Sequence, residues 1–536
     1  MSQADQFRNA MRQQQLYNLA GSPLLLEIMS RLRIEAIIDK QVPAGAKQQV
    51  SHGQSALALL LTRLLQPKAL YKVADWLSDT GVDIVLNHEA AAFSDDTLGR
   101  MLDAVSAQTE AIWTDVLREV VSAYPEMAEA VIQYDLTSVY FEGAYADSDL
   151  ATYGYSRDHR SDAKQVNLGV STTGGSRLPL LYELLAGNTA DNQTPMAHMQ
   201  RLKRVMQQIG YPQPALVLVG DRAMLNRPLI RTYLQQAQLF VGPWTPTDIR
   251  VLMGTISQEE LLASPLAYRP QSHRDGDPAP YYGVMRDHDF ADGEGEDEVR
   301  ATLRVLVLYS RSKARLDAGK REDHLTKLRA GLGDIQGKLN QRRYKSGCYV
   351  EERVHKLVSR HSAARALIDW SLRGEDGQLT LTFAVNETAL DEAQQLDGRY
   401  ALVTNSALSA DEMLIAFKRQ SSVEGRFRVL KDDVAIRPIH LRRDNRIQAL
   451  ILLTMIALVV YSVLEWRLRQ RTPGRKRPWT GRAALEVFAS LLVGLTRFAD
   501  GSRLWHPPPL TENQALLWEA LDLPPLLEWL NDNCGT

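Results

Sequence analysis

The sequence predicts an α/β fold: a mixed sheet flanked by helices, interrupted by a mostly β insertion with a basic helical arm, and preceded by a helical N-terminal domain. Three observations predict it. Apolar residues recur at helical spacing through the first 128 residues. From about residue 129 the pattern changes to strand-like runs, three in succession and then alternating with helices. A long stretch, 243–405, separates these runs from an amphipathic helix and an uncharged apolar segment.

The elements follow in order. In 1–128, SPLLLEIMSRLRIEAIID and HGQSALALLLTRLLQ carry helical spacing, and FSDDTLGRMLDAVSA begins with a Ser94 or Asp95 cap. Such a domain suits DNA-end binding or dimerisation, and plain scaffolding explains it equally well. VIQYDLTSVYF, KQVNLGVST and LPLLYELLA read as a three-strand meander turning through Gly174 and Gly175. Helix MAHMQRLKRVMQQIG leads to strand ALVLVGD, then helix NRPLIRTYLQQ to strand QLFVG, and a helix between strands implies parallel addition. Three strands followed by helix–strand alternation is the order of an RNase H-like core, here 129–242. Within 243–405 the runs PYYGVM, TLRVLVLYS and LTLTFAV are strand-like, and SKARLDAGKREDHLTKLRAGLGDIQGKLNQRRYK is a basic helical stretch. Residues 406–470 complete the core, and 471–536 form a helical tail.

The net charge of -2 conceals strong segregation. Residues 254–299 hold 3 Lys and Arg against 11 Asp and Glu, 300–345 hold 13 against 4, and 418–482 hold 16 against 5. Because charge is screened beyond about 8–10 Å, the two basic segments can each neutralise phosphates despite overall neutrality. Solvated helix faces are the plainer explanation of each run taken alone. The two cysteines, Cys348 and Cys534, are far apart, which disfavours a disulfide framework or zinc finger and fits a reducing compartment. The N-terminus lacks the apolar core of a secretion signal. Residues 447–464 carry no charge and are long enough to span a membrane; a helix buried in a large core accounts for them better, because the segment is solitary and flanked by arginines on both sides.

Three acids sit where such a fold can gather them. Asp135 interrupts the first strand, Asp221 ends the buried run ALVLVG, and Glu424 lies on AFKRQSSVEGRFRVLKDD. In alternating α/β segments, ligands bind beyond the carboxyl ends of the strands, where Asp221 falls. Phe417, Gln420, Glu424, Arg428 and Lys431 share one face of a continuous helix, beside an apolar stripe of Val423, Phe427, Leu430 and Val434. Singly, each acid has a plainer explanation: a turn former after a strand, or a surface Glu paired with Arg428. Together they suggest a two-metal nuclease centre, with Arg222 next to the second acid. His159 in the SRDHR loop and Trp244 after the last core strand are weaker candidates, for approach to DNA and base stacking.

Beyond these acids, the chain resembles bacterial insertion-sequence transposases of the DDE class with a Tyr-x2-Arg-x3-Glu-x6-Lys signature. Here that signature reads Phe417-x2-Gln420-x3-Glu424-x6-Lys431, with Phe for Tyr and Gln for Arg. YGYSRDHRSDAKQVNLGV, AGNTAD, VGDRAM, DGRYALVTN and IRPIHLRRDNRIQA are similar to family blocks in family order, over about 130–465.

The resemblance implies catalytic and metal-binding roles for Asp135, Asp221 and Glu424, and DNA contacts from Arg222, Phe417, Gln420, Arg428 and Lys431. The implied cofactor is a pair of Mg²⁺ ions, with Mn²⁺ able to substitute. The implied partners are double-stranded transposon ends and target DNA, bound by a homodimer at synapsis, with no membrane involved and a cytoplasmic, nucleoid-associated location. Cut-and-paste transposition through terminal inverted repeats is expected, with a hairpin step in question because of Phe417 and Gln420. A plain two-metal nuclease and a catalytically impaired DNA-binding relic stay open.

Overall fold

A computed structural model describes residues 11–189, 194–213, 215–270, 273, 278–475, 477–499 and 502–534. The end of the AGNTAD block, residues 190 and 191, lies outside them. The chain forms two compact units, one from residues 1–224 and 419–536 and the other from 225–418. The fold class is mixed α/β, with strands numbered here along the chain.

The first unit contains the meander. Strands β2 (Val131–Tyr140), β3 (Gln165–Thr173) and β4 (Pro179–Ala186) are successively antiparallel, and β5 (Val217–Val219) adds parallel to β2, giving the order β4-β3-β2-β5. The parallel step requires a crossover, supplied by the helix Pro195–Gln208. β3 is buried along its whole length, consistent with its interior place in the order. On the face of the sheet bearing Tyr134, the 195–208 helix inserts His198, whose ring stacks on Tyr134 at 4.2 Å while Nδ1 lies 2.8 Å from Glu183 Oε2.

The helical N-terminal region includes helices Ser22–Arg31, His52–Leu65, Asp95–Ser106 and Thr109–Ala123. Ser51 and Gln54 form a reciprocal cap on the second, and Ser94 caps the third. Strand β1 (Met11–Asn18) precedes them and pairs antiparallel with β12 (Leu492–Phe498), which also pairs with β13 (Arg503–His506). Neither this strand nor its partners in the tail shows an apolar alternation strong enough to be read from sequence.

The apolar segment is the heart of this unit. Helix Asp444–Arg471 has a mean hydropathy of 2.5 over its most apolar window, and 94% of that window is buried. The four N-terminal helices and β4 pack around it. A helix buried on every side has no reason to be amphipathic, and each enclosed Leu, Ile or Val contributes about 1.5–3 kcal/mol. Its charged ends are tied down: Arg446 makes a forked ion pair with Asp103 at 2.8 and 2.6 Å, and Arg467 reaches Asp522 at 2.8 Å.

The second unit contains β6 (Leu239–Pro243), β7 (Tyr282–Asp292), β8 (Val299–Tyr309) and β11 (Arg399–Thr404) in the antiparallel order β6-β11-β8-β7. The basic stretch forms the 28-residue helix Arg311–Lys338. Its buried Leu325, Leu328, Leu332 and Ile335 build a local core with helix Gly347–Arg360 and the hairpin β9 (Ile368–Arg373) and β10 (Thr380–Val385). Trp244 is packed here, 5.9 Å from Phe290 and with Arg227 5.8 Å over its ring, so its face is occupied by protein.

The expected continuous helix over 416–433 is broken. One helix, Ala410–Lys418, ends before a turn at 419–420; a second, Ser421–Arg428, follows, and 429–433 form a π-helical turn. The 3.6-residue phase is lost at both joints, so Phe417, Gln420, Glu424, Arg428 and Lys431 do not share one continuous face.

Candidate acidic site

The spacing of the two aspartates equals a structural offset. β2 and β5 pair with Val131 opposite Val217, Ile132 opposite Leu218 and Gln133 opposite Val219. Every pair differs by the same 86 positions, the number that also separates Asp135 from Asp221, which follows two residues after the end of β5. Asp135 and Gln133 lie on one side of β2, since alternate residues share a face. Both aspartates are half-buried. Asp221 turns its Oδ1 back to accept the backbone N–H groups of Ala223 (2.9 Å) and Met224 (3.2 Å), which fixes the carboxylate at the strand end. Asp135 Oδ1 accepts the Leu136 N–H at 2.8 Å.

Glu424 reaches this region on the short helix Ser421–Arg428, which packs on β2 and β3. The helix is anchored by buried Val423 and Phe427 and by Arg426, which is only 1% exposed. Arg426 pairs with Glu465 of the central helix at 2.9 Å, and its Nε donates to the Arg177 carbonyl at 3.0 Å. Burial pushes the guanidinium below its ordinary value, and Glu465 opposes that shift. Ahead of the helix, Arg419 lies 3.6 Å from Glu129, which also accepts the Gly175 and Ser176 N–H groups. A side chain at Gly174 would meet Arg419 and Gln133 at 3.2 and 3.4 Å, so this entry to the helix covers the Gln133 and Asp135 side of the sheet. Glu424 itself is exposed, beside Gly425, which has open space around it.

The three acids are thus carried by adjoining elements and all reach solvent. Among the described residues, no three His, Cys, Asp or Glu side chains are gathered closely enough to hold a metal ion. The carboxylates do not form a closed ligand set in this conformation.

The flanking candidates fall in different places. Arg222 and Arg428 are exposed. Gln420 is half-buried at the N-cap of the Glu424 helix. Phe417 belongs to the second unit, where its ring lies 6.4 Å from Tyr400 and under the Lys418 ammonium at 5.7 Å. Lys431 is largely enclosed and bonded to Asp158 at 2.7 Å; Arg437 contacts the same carboxylate. Burial lowers the Lys431 pKa, with Asp158 opposing and with Arg437 and Arg157 reinforcing the fall. His159 is exposed beside this cluster. Asp158 and Arg426 were not expected to matter from sequence. The one signal for Asp158 lay in the SRDHR block, and the helical spacing placed Arg426 off the Glu424 face without indicating a partner.

A family described as "Domain of unknown function (DUF4277)" matches residues 14–118. No curated protein matches the chain. Among solved structures, it is similar to a piggyBac transposase synaptic complex with hairpin DNA, at 9% identity and a TM-score of 0.38, covering 96% of this chain and 84% of that one. It is also similar to a Mos1 transposase paired-end complex with left transposon end, at 13% identity and a TM-score of 0.16, covering 37% and 60% respectively.

Proposed function

We propose that this chain is a DDE-class transposase of the insertion-sequence type, built on an RNase H-like core, in which Asp135, Asp221 and Glu424 form the catalytic centre. The observation that carries the reading is the coincidence of the 86-residue spacing with the β2–β5 offset, with Asp135 within β2 and Asp221 two residues past the end of the parallel strand β5. The signature around Glu424 and the ordered blocks across 130–465 support it. The donor set fits Mg²⁺, which takes oxygen ligands and keeps part of its water shell. Asp221 is already oriented through Oδ1, which leaves Oδ2 for a ligand, and Glu424 is exposed on the helix that packs on β2 and β3.

Two Mg²⁺ ions bound there would activate water on one side of a phosphodiester and stabilise the departing 3′ oxygen on the other. The protein's own part is positional. Asp135, Asp221 and Glu424 would be the residues that hold the ions. The Arg426–Glu465 pair ties the Glu424 helix to the central 444–471 helix. Arg222 and Arg428, both exposed, would steer the backbone of double-stranded DNA. Synapsis of two ends calls for a homodimer on DNA.

The test is incubation of the full chain with duplexes carrying the repeats that flank its gene, in Mg²⁺ or Mn²⁺. Wild type should cut the ends and join the 3′ strands to a target, and Asp135→Asn should do neither. Equal cleavage by both would overturn the site, and cutting without joining would make the protein a plain nuclease. A second reading, an end-binding relic, draws on Phe417 and Gln420 and on the engagement of Lys431 by Asp158; specific binding without cleavage by wild type would establish it.

A further inference from the structure

The loop between β2 and β3 presents two large aromatic rings to solvent on a backbone that is firmly held. Tyr153 and Tyr155 are 62% and 81% exposed. They flank Gly154, where an added Cβ would fall 1.9 Å from the Gly187 carbonyl oxygen, so the chain there is pressed against a neighbouring turn. Gln165 Nε2 donates to the carbonyls of Tyr155 and Gly187, both at 2.9 Å. Thr152 pairs with Gln165 through two backbone bonds, and the Arg157 N–H donates to Ser138 Oγ at 3.0 Å. Exposed aromatic rings held on a fixed backbone lose little entropy when something stacks on them.

Two observations say what that is. The loop leaves the carboxyl end of β2, five residues beyond Asp135, and its Asp158 is bonded to Lys431, seven residues beyond Glu424. Around Asp158 gather Lys431, Arg437 and Arg157, and Arg437 also pairs with Asp432 at 3.3 Å, so three cations face two carboxylates and the surplus positive charge favours a phosphate backbone.

We propose that Tyr153 and Tyr155 form a stacking platform for unpaired bases of the DNA strand whose backbone is drawn to the surplus positive charge of Arg157 and Arg437 beside Asp158. This rests on the transposase reading, in which a strand end must leave the duplex near the carboxylates.

The probes are a duplex with a short unpaired stretch containing 2-aminopurine and the same duplex fully paired, titrated with the full chain. Wild type should bind the unpaired probe more tightly and change its fluorescence. Combined Tyr153→Leu and Tyr155→Leu should weaken that binding by about tenfold or more, as loss of base–aromatic stacking does. The paired duplex should bind the variant as before, and Tyr153→Phe with Tyr155→Phe should behave as wild type. Equal loss on both probes, no loss on either, or a wild type without preference would overturn the platform. Asp135→Asn separates the two ideas. If it still cleaves, the catalytic reading fails whatever the tyrosines do; if it is inactive while the leucine variant binds normally, only the platform fails.

Discussion

Asp158 shows how a single side chain redirects a charge that the sequence assigned elsewhere. Lys431 has the spacing expected of a phosphate ligand, yet its ammonium is enclosed and bonded to Asp158. Arg428 is the exposed cation left on the Glu424 helix. Arg428→Gln should therefore weaken binding to all duplexes alike and reduce the slope of log affinity against log salt by about 0.9, the value of one lost phosphate contact; a titration series across salt concentrations reads this directly. For the acids, Asp135→Asn should lower cleavage by about a thousandfold or more, the scale of several kcal/mol of metal-borne stabilisation. His198 gives a pH prediction. Its complete burial pushes the imidazole below its usual value, against the hydrogen bond to Glu183. Below about pH 6.5 the unfolded histidine takes up a proton that the folded one does not. Stability is then lost as pH falls from there to the folded-state pKa, and is constant with respect to this group below it. Thermal melts at neutral and mildly acidic pH should show a smaller acid-side decrease for His198→Gln than for wild type.

At the scale of elements, the Glu424 helix is held by a charge pair inside the protein. Removing one partner, as in Glu465→Ala, leaves a buried guanidinium uncompensated and should cost about 3–5 kcal/mol. Replacing both, Arg426→Met with Glu465→Leu, should cost far less. Denaturant unfolding of the two variants distinguishes them, and equal destabilisation would mean that the pair acts only through packing. The strands of the meander and of β5 were legible because their alternation and turn glycines are local signals. The Asp135 and Asp221 candidates were legible for the same reason, each sitting in or just after an apolar run. The break at 419–420 was not, since QSSVEGRFR continues a helical apolar pattern across a turn that carries no proline and no glycine. The Arg426–Glu465 pair was invisible for a different reason: its partners are 39 positions apart, and nothing local marks either as buried. Strand β1 escaped as well, because MRQQQLYN is polar and becomes a strand through pairing with β12, nearly five hundred residues away.

For the whole molecule, the 444–471 helix decides between two environments. Its apolar window is 94% enclosed by protein, so it offers little surface to lipid. The chain should remain in the supernatant after high-speed centrifugation without detergent. Val459→Asp, which places a charge at a position with no exposure, should shift it into aggregates by uncoupling the surrounding helices. The helix could be identified in the sequence by its lack of charge; the four helices and the strand enclosing it could not, because each contacts it through residues that are simply apolar.

The shared offset of β2 and β5 also limits how this chain can change. Residues added in the turn that follows the 195–208 helix would leave the β2–β5 pairing, and the placement of Asp221 after β5, unchanged. One residue inserted between Val219 and Asp221 would instead push the second carboxylate further past the end of β5 and break the 86-residue offset. Length variation here is tolerable on one side of Val217 and ruinous on the other, a polarity that paired insertion variants would expose as intact versus abolished cutting.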